Sequence, residues 1–520
     1  LSESTVPVAP TRTEVLIVGA GPTGLVLALW LKRLGVQFRL IDQVAGPGTT
    51  SRALAVQART LEFYSQLGIA EEVIERGLEV SDIGVWVRGR RKASVSLMDI
   101  GQGLSPFPRP LIFPQEQHEQ LLIEHLRRAG VEVERKTQLL GFEEVGDRII
   151  AELQNSDGAT VSCEAAFIAG CDGAHSRVRE VLGFGFPGGT YDHLFYVADV
   201  ELQNASAGHG LQIGLAESDF LIVFPMKQDN VVRLVGTVQR GSELRDQALT
   251  WEDVSHGALR ELKLQVERVR WFSSYRVHHR VAAHFGRGRA FLLGDAAHIH
   301  SPVGGQGMNT GIGDAINLAW KLAAVLQRRA GPHLLDSYEP ERIAFARRLV
   351  ATTDRGFTAV TSDSFWARFL RLRAVPRLAP LFLRLRAVRR LMFRTVSQIL
   401  VNYRGGQLSE GEAGSVRGGD RLPWVKPEDG TSSDNFAPLS SLGWQLHVYG
   451  DASSELAEAC ASRGLPLHVF PWRPAASSAG LSRNAAYLIR PDGYVGLADA
   501  SASVSSLTLY INTHGLRFRP

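Results

Sequence analysis

The stretch "EVLIVGAGPTGLVLALWLKRLGVQFRLID", residues 14 to 42, constrains this chain more than any other. Val15 to Val18 are aliphatic and read as a buried strand, and Gly19, Gly21 and Gly24 then form GxGxxG at a turn. An apolar helix follows, and a second strand ends at Asp42. Strand, turn, helix and strand in that order make a βαβ unit of a parallel sheet. Each glycine has its own expected reason. The first permits the tight turn, the second lets a pyrophosphate reach the backbone, and the third lets helix pack on strand. Pro22 and Thr23 open the helix, whose free N–H groups and positive dipole end suit phosphates. Asp42, with Gln43 beside it, ends the second strand where a carboxylate accepts hydrogen bonds from a ribose diol. The same carboxylate repels a 2′-phosphate, so FAD or NAD is expected there rather than NADP.

The chain has 520 residues, long enough for two or three cores. Its formal charge of +4 is small for that length and argues against a dedicated nucleic-acid binder. Cys163, Cys171 and Cys460 are widely spaced and form no CxxC, so neither a disulfide scaffold nor a metal site is indicated and a reducing cytoplasm is expected. No stretch approaches the ~20 apolar residues that span a bilayer, and the N-terminal segment lacks the pattern of a signal peptide.

Four regions follow from the patterning. Residues 13–189 and 286–355 read as one discontinuous α/β lobe. Between them, 190–285 is strand-like ("HLFYVADVEL", "DFLIVFPM", "NVVRLVGTV") and reads as a mostly antiparallel sheet. Residues 356–403 are an Arg- and Leu-rich helical connector, and 404–520 alternate strands and helices as a small separate domain.

Three motifs in this order, "GAGPTG", "CDGAHSRVR" (Cys171 to Arg179) and "GDAAHIHSPVGGQGMN" (Gly294 to Asn309), resemble those of the FAD-dependent single-component aromatic hydroxylases, the p-hydroxybenzoate hydroxylase and phenol hydroxylase group. The resemblance implies an α/β fold: a Rossmann-like FAD lobe, an inserted antiparallel substrate lobe and a C-terminal thioredoxin-like domain. It implies that Asp172 belongs to a DG motif tied to FAD and the pyridine nucleotide, and that Asp295 contacts the ribityl chain. It places Arg52 of "SRA" beside the FAD phosphates and Gln115 of "PQ" near the ribityl or phosphate region. Pro302, Gly305, Gly307, Met308 and Asn309 would line the flavin ring. Physically, that last stretch is bare backbone leading into a helix start, where N–H groups favour an anionic reduced flavin. His298 and His300 beside it read as structural.

The activity so implied is hydroxylation of a phenolic or polycyclic polyketide-like aromatic through a flavin 4a-hydroperoxide, with NADH or NADPH as transient reductant and O2 as oxygen source. Such chemistry needs a dry site. Phe195, Tyr196, Phe220, Phe224 and Pro225 are candidates for a wall over the substrate, and His193, Tyr196 and Arg233 for the group that activates the phenol. The C-terminal region resembles the thioredoxin-like domain of the phenol hydroxylase branch but lacks CxxC, which leaves it a structural or dimer-forming role. A Baeyer-Villiger or epoxidising enzyme on the same fold, or a non-catalytic FAD-binding interaction protein, are the alternatives; a halogenase would need a tryptophan motif that is absent.

Overall fold

The computed structural model describes residues 11–48, 53–87, 89–203, 210–215, 220–228, 230–238, 250–254, 257–301, 305–361, 382, 384–427 and 434–518. Of the expected site residues, Arg52 and Pro302 and the side chains of His193 and Phe220 lie outside this description.

The N-terminal strand Thr11–Val18 is the centre of the first sheet. It pairs in parallel with Phe38–Asp42 on one side (Val15 with Phe38, Val18 with Ile41) and with Thr160–Gly170 on the other (Val18 with Gly170). Ala290–Leu292 extends the sheet beyond Thr160–Gly170, again in parallel. Strands covered on both faces carry apolar residues without alternation, and Val15, Leu16 and Ile17 are fully buried. Helix Pro22–Arg33 begins directly after Gly21 with proline in its first turn, and every residue from Gly24 to Leu31 is buried. It packs against the long helix Gly307–Leu326. That helix starts seven residues before the apolar pattern at Asp314 announces it. Its first turns are "GMNTGIG", poor in intrinsic helix formers, and are kept short because other backbone lies against them. A Cβ at Gly311 would stand 2.4 Å from Thr23 Oγ1 and 3.0 Å from Gly294 Cα.

The second sheet has eight strands, in the order His298–Ile299, Val266–Val281, Gly188–Leu202, Val231–Val238, Phe220–Pro225, Leu211–Leu215, Asp82–Val87 and Arg90–Ser96. All neighbouring pairs are antiparallel except Leu211–Leu215 with Asp82–Val87. The stretch 82–96 falls within the segment read from sequence as part of the first lobe, yet it completes the edge of this second sheet. The motif segment at His298 pairs with its other edge, His298 opposite Val281 and Ile299 opposite Arg280. Local patterning identifies such strands but not the sheet they join.

The C-terminal sheet has six strands, with Val495–Asp499 and Ala486–Ile489 at its centre. Its core continues into the first lobe: Trp320 of the long helix stands edge-on to Trp444 at 5.7 Å within one apolar cluster.

Candidate functional site

The glycine turn separates two kinds of crowding. Gly19 has φ +101°, and a Cβ there would lie 2.3 Å from the Cys171 carbonyl oxygen. A Cβ on Gly24 would lie 1.9 Å from the Gly19 carbonyl oxygen. Both are bare because the protein's own backbone needs the room. A Cβ on Gly21 would meet nothing within 4 Å. No contact among the described residues requires glycine there, which fits a position kept open for a ligand.

That opening belongs to a cavity of about 300 Å3 lined by Gly19, Gly21, Asp42, Glu119, Arg135 and Asp172, among others, with Gln43 at its rim. Asp42 accepts the N–H groups of Ala20 (2.7 Å) and Val44 (2.9 Å), so its carboxylate is anchored at the strand end facing the cavity. Two polar atoms on the wall are buried with no hydrogen-bond partner among the described residues: Asp172 Oδ1 and Arg135 Nη2. Buried polar groups are nearly always paired. One free acceptor and one free donor beside a phosphate-sized opening suit a group carrying both hydroxyls and negative charge, such as the nucleotide half of FAD. Asp172 Oδ2 accepts the Val178 N–H at 3.0 Å, and burial pushes its carboxyl above the usual range.

Gln115 reaches the cavity through a neighbour. Its amide donates to Glu119 Oε1 (2.8 Å), while Glu119 Oε2 accepts the Gly48 N–H (3.1 Å). Burial raises the Glu119 carboxyl. Sequence reasoning missed Glu119 and Arg135. Glu119 sits one helical turn after Gln115, a spacing that could have flagged it; nothing local marks Arg135.

The second half of the site is the turn Gly294–Ala296 and the start of the helix at Gly307. Gly294 has φ +59°, donates its N–H to Asp314 Oδ2 (3.0 Å), and leaves room only for Thr23, whose Oγ1 would lie 2.6 Å from an added Cβ. Asp295, next to it, is exposed. No acidic side chain stands in the helix's first turn, and Gln306 gives no side-chain cap. The N–H groups of Gly307, Met308 and Asn309 therefore have no acceptor within the helix and carry its positive end. The Asn309 side chain is committed elsewhere: it accepts from Gln57 N (2.9 Å) and Thr60 Oγ1 (2.8 Å) and donates to the carbonyls of Ala55 (2.8 Å) and Gly305 (2.9 Å). Only its backbone is available to a ligand. Gly305 packs tightly on Ala55, whose Cβ would lie 2.8 Å from one added there. His298 is buried with Nε2 2.7 Å from Asp314, and His300 Nδ1 bonds the Ser301 carbonyl at 2.9 Å.

Across the second sheet, the period of two divides the expected wall residues. Phe224 packs with Leu54 and Ile112 of the first lobe, and Val281 packs on that lobe's core, so their face looks toward the cofactor lobe. Phe195, beside Tyr275 and Val277, is in phase with that face. Tyr196 and Pro225 are not. Tyr196 is buried against Trp251 and Phe272 in the core on the opposite face, and Pro225 is in phase with Leu221 and Val223 of that same core. A one-residue offset along a strand reverses the face, which removes both from the wall and Tyr196 from the candidates for phenol activation. Arg233 lies on the lobe-facing side in a two-point pair with Asp199 (2.6 and 2.7 Å), with Glu116 at 3.5 Å. A guanidinium is a donor only, so Arg233 orders this face and takes no proton.

Comparison with known proteins agrees with this geometry. A family model described as "FAD binding domain" matches residues 12–353. The chain is 34% identical to 6-methylpretetramide 4-monooxygenase of Streptomyces rimosus, over 95% of this chain and 92% of that protein. It is 33% identical to pentachlorophenol 4-monooxygenase of Sphingobium chlorophenolicum, over 67% and 66%. Among solved structures, OxyS anhydrotetracycline hydroxylase from Streptomyces rimosus superposes with a TM-score of 0.78 at 28% identity, covering 98% of this chain and 100% of that one. With a glycine cradle open to a dinucleotide, an unpaired donor and acceptor on its wall and these relatives along its length, the chain belongs to the FAD-dependent aromatic hydroxylase family and is a flavoprotein monooxygenase.

Proposed function

We propose that this protein hydroxylates a phenolic ring of a planar, polycyclic polyketide-like substrate, taking electrons from NADH or NADPH and oxygen from O2, in the cytoplasm. The observation that carries the reading is the open glycine cradle of the first lobe, in a chain whose relatives along its length are aromatic monooxygenases. Bound FAD supplies the redox chemistry: two electrons from the nicotinamide and one oxygen atom delivered to the substrate, the other leaving as water.

The chain's own residues supply placement. Gly21, Asp42, Glu119, Arg135 and Asp172 would hold the nucleotide end. The N–H groups of Gly307 to Asn309 would favour negative charge at the far end, because a helix start stabilises anions without reorganising. Phe195, Tyr275 and Val277, with Phe224 further along, lie on the face of the second sheet turned toward the first lobe, where apolar side chains would keep water from an oxygen-transfer step. The polyketide preference draws support from the names of the relatives above. The three cysteines, all buried and unpaired, fit a reducing compartment, and no helix among the described residues is long and apolar enough to cross a membrane.

The test is substrate-triggered NAD(P)H oxidation with a panel of polyhydroxylated tetracycles, simple phenols and lactonisable ketones under 18O2. Label in a ring hydroxyl is expected. Label in a lactone instead would assign Baeyer-Villiger chemistry, and oxidation stimulated by none of the panel would overturn the reading.

A further inference from the structure

The C-terminal domain has no thiol pair, yet its contact with the first lobe is built from buried charges. Arg490, fully buried, forks onto Glu341 (2.7 and 3.0 Å) and onto Asp492 (3.0 and 2.7 Å). Glu341 also accepts Lys321 (2.8 Å) and Asn317 (2.7 Å) of the helix Gly307–Leu326, and Asp492 accepts Trp320 Nε1 of the same helix (3.0 Å). The next residue, Arg342, reaches the other way. Its Nε donates to Asp314 (2.6 Å), its Nη2 to the Thr310 carbonyl (3.0 Å) and its Nη1 to the Tyr403 hydroxyl (2.9 Å). The Tyr403 ring lies on Tyr494 at 4.4 Å, with Arg490 over it at 5.2 Å. Asp314 ends the chain of contacts on the N–H of Gly294 and on His298.

We propose that the C-terminal domain, through Tyr403 at the end of the connector that leads into it, is a fixed electrostatic brace for the cofactor turn, in which Tyr403 and Arg342 are positioning residues that hold Gly294–Ala296 and the first turn of the flavin-side helix. Asp314, Glu341 and Asp492 face Arg342, Lys321 and Arg490, all six buried, so three anions balance three cations. Such a set tolerates no loss, because removing one member strands a charge in a medium that cannot solvate it. Nor can the turn drift, since Thr23 and Gly311 already fill the space beside Gly294. The arrangement gives the domain a task that needs no cysteine chemistry. The inference rests on reading Gly294–Ala296 as part of the FAD site.

The test uses the full chain stripped of FAD and reconstituted. Tyr403→Phe removes one hydroxyl from Arg342 and keeps the ring stack. Folded by circular dichroism, it is expected to bind FAD about tenfold more weakly, the worth of one hydrogen bond to a charged group, and to show a more negative flavin midpoint potential. Leu456→Ala, in the C-terminal core but off this chain of contacts, should lower the melting temperature and leave the potential unchanged. The brace is overturned if Tyr403→Phe keeps the parent's FAD affinity and potential, or if Leu456→Ala shifts the potential equally. Gly21→Val in the same assay tests the FAD site itself: its loss of FAD binding makes an unchanged Tyr403→Phe count against the brace alone.

Discussion

Two segments of this molecule bring bare backbone to the proposed cofactor site, and they are held in place by different means. The turn Gly19–Gly24 is shaped by its immediate neighbours: Gly19 fits under Cys171, and Gly24 fits against Gly19 itself. The second, at Gly294–Ala296 and residues 305–309, is shaped from a distance. Asn309 is tied to residues 55–60, Asp314 to Arg342, and Arg342 to Tyr403. The first is a steric solution written in a few consecutive residues. The second is an electrostatic one assembled from four parts of the chain, so it fails through unpaired charge rather than through overlap.

Substitutions in the two segments should leave opposite footprints. The largest is expected from Asp314→Asn, which leaves Arg342 buried without its carboxylate. Urea unfolding of the apoprotein should show a loss of about 3–5 kcal/mol; a loss under about 1 kcal/mol is what an exposed pair gives and would erase the contrast. Glu341 extends this to pH. Burial acts to raise its carboxyl, but Arg490 and Lys321 outweigh burial and hold it at about 2, against a usual 4.5. A depressed folded pKa stabilises above the unfolded value and is lost as pH falls through the folded one. The stability gap between the parent and Glu341→Gln should therefore shrink as pH falls from 4.5 toward 2. A gap that widens in acid would reverse the assignment.

Gly24→Ala comes next, at about 1–3 kcal/mol of apoprotein stability from overpacking, visible in melting whether or not FAD is added. Gly21→Val should do the reverse, leaving apoprotein melting unchanged and weakening FAD by about ten- to hundredfold. Equal behaviour of these two variants would mean that the glycines share one purpose. Asp295→Ala should change stability least, by about 0.5 kcal/mol or less for an exposed side chain, while FAD is lost during purification. Recovery of fully yellow protein would remove Asp295 from the site.

Much of the fold is legible in the sequence wherever a signal is short-range. GxGxxG after an aliphatic strand announces the first crossover, and Asp42 marks the end of the strand beside it. Alternation announces the strands of the second sheet but not their faces or their membership. Tyr196 and Phe195 are equally apolar neighbours, and only packing shows that one belongs to the far core. Asp82–Val87 and Arg90–Ser96 lie in the segment assigned from sequence to the first lobe, and pairing with Leu211–Leu215 puts them in the second sheet. The resemblance pointed to Gln115, but the side chain that lines the cavity is Glu119, to which Gln115 donates. Arg135 has no local signature because its significance is spatial: an unpaired donor beside Asp42.

By itself, the sequence determined the glycine turn after the first strand and the family, since each depends on residue type at fixed short spacing, where sterics and hydrogen-bond period act within a few residues. Only the tertiary structure decided which face of the second sheet looks toward the cofactor lobe, which side chains complete the nucleotide cavity, and how the C-terminal domain grips the long helix. Those depend on desolvated charges and on faces brought together from distant parts of the chain, and a buried arginine and an exposed one are written with the same letter.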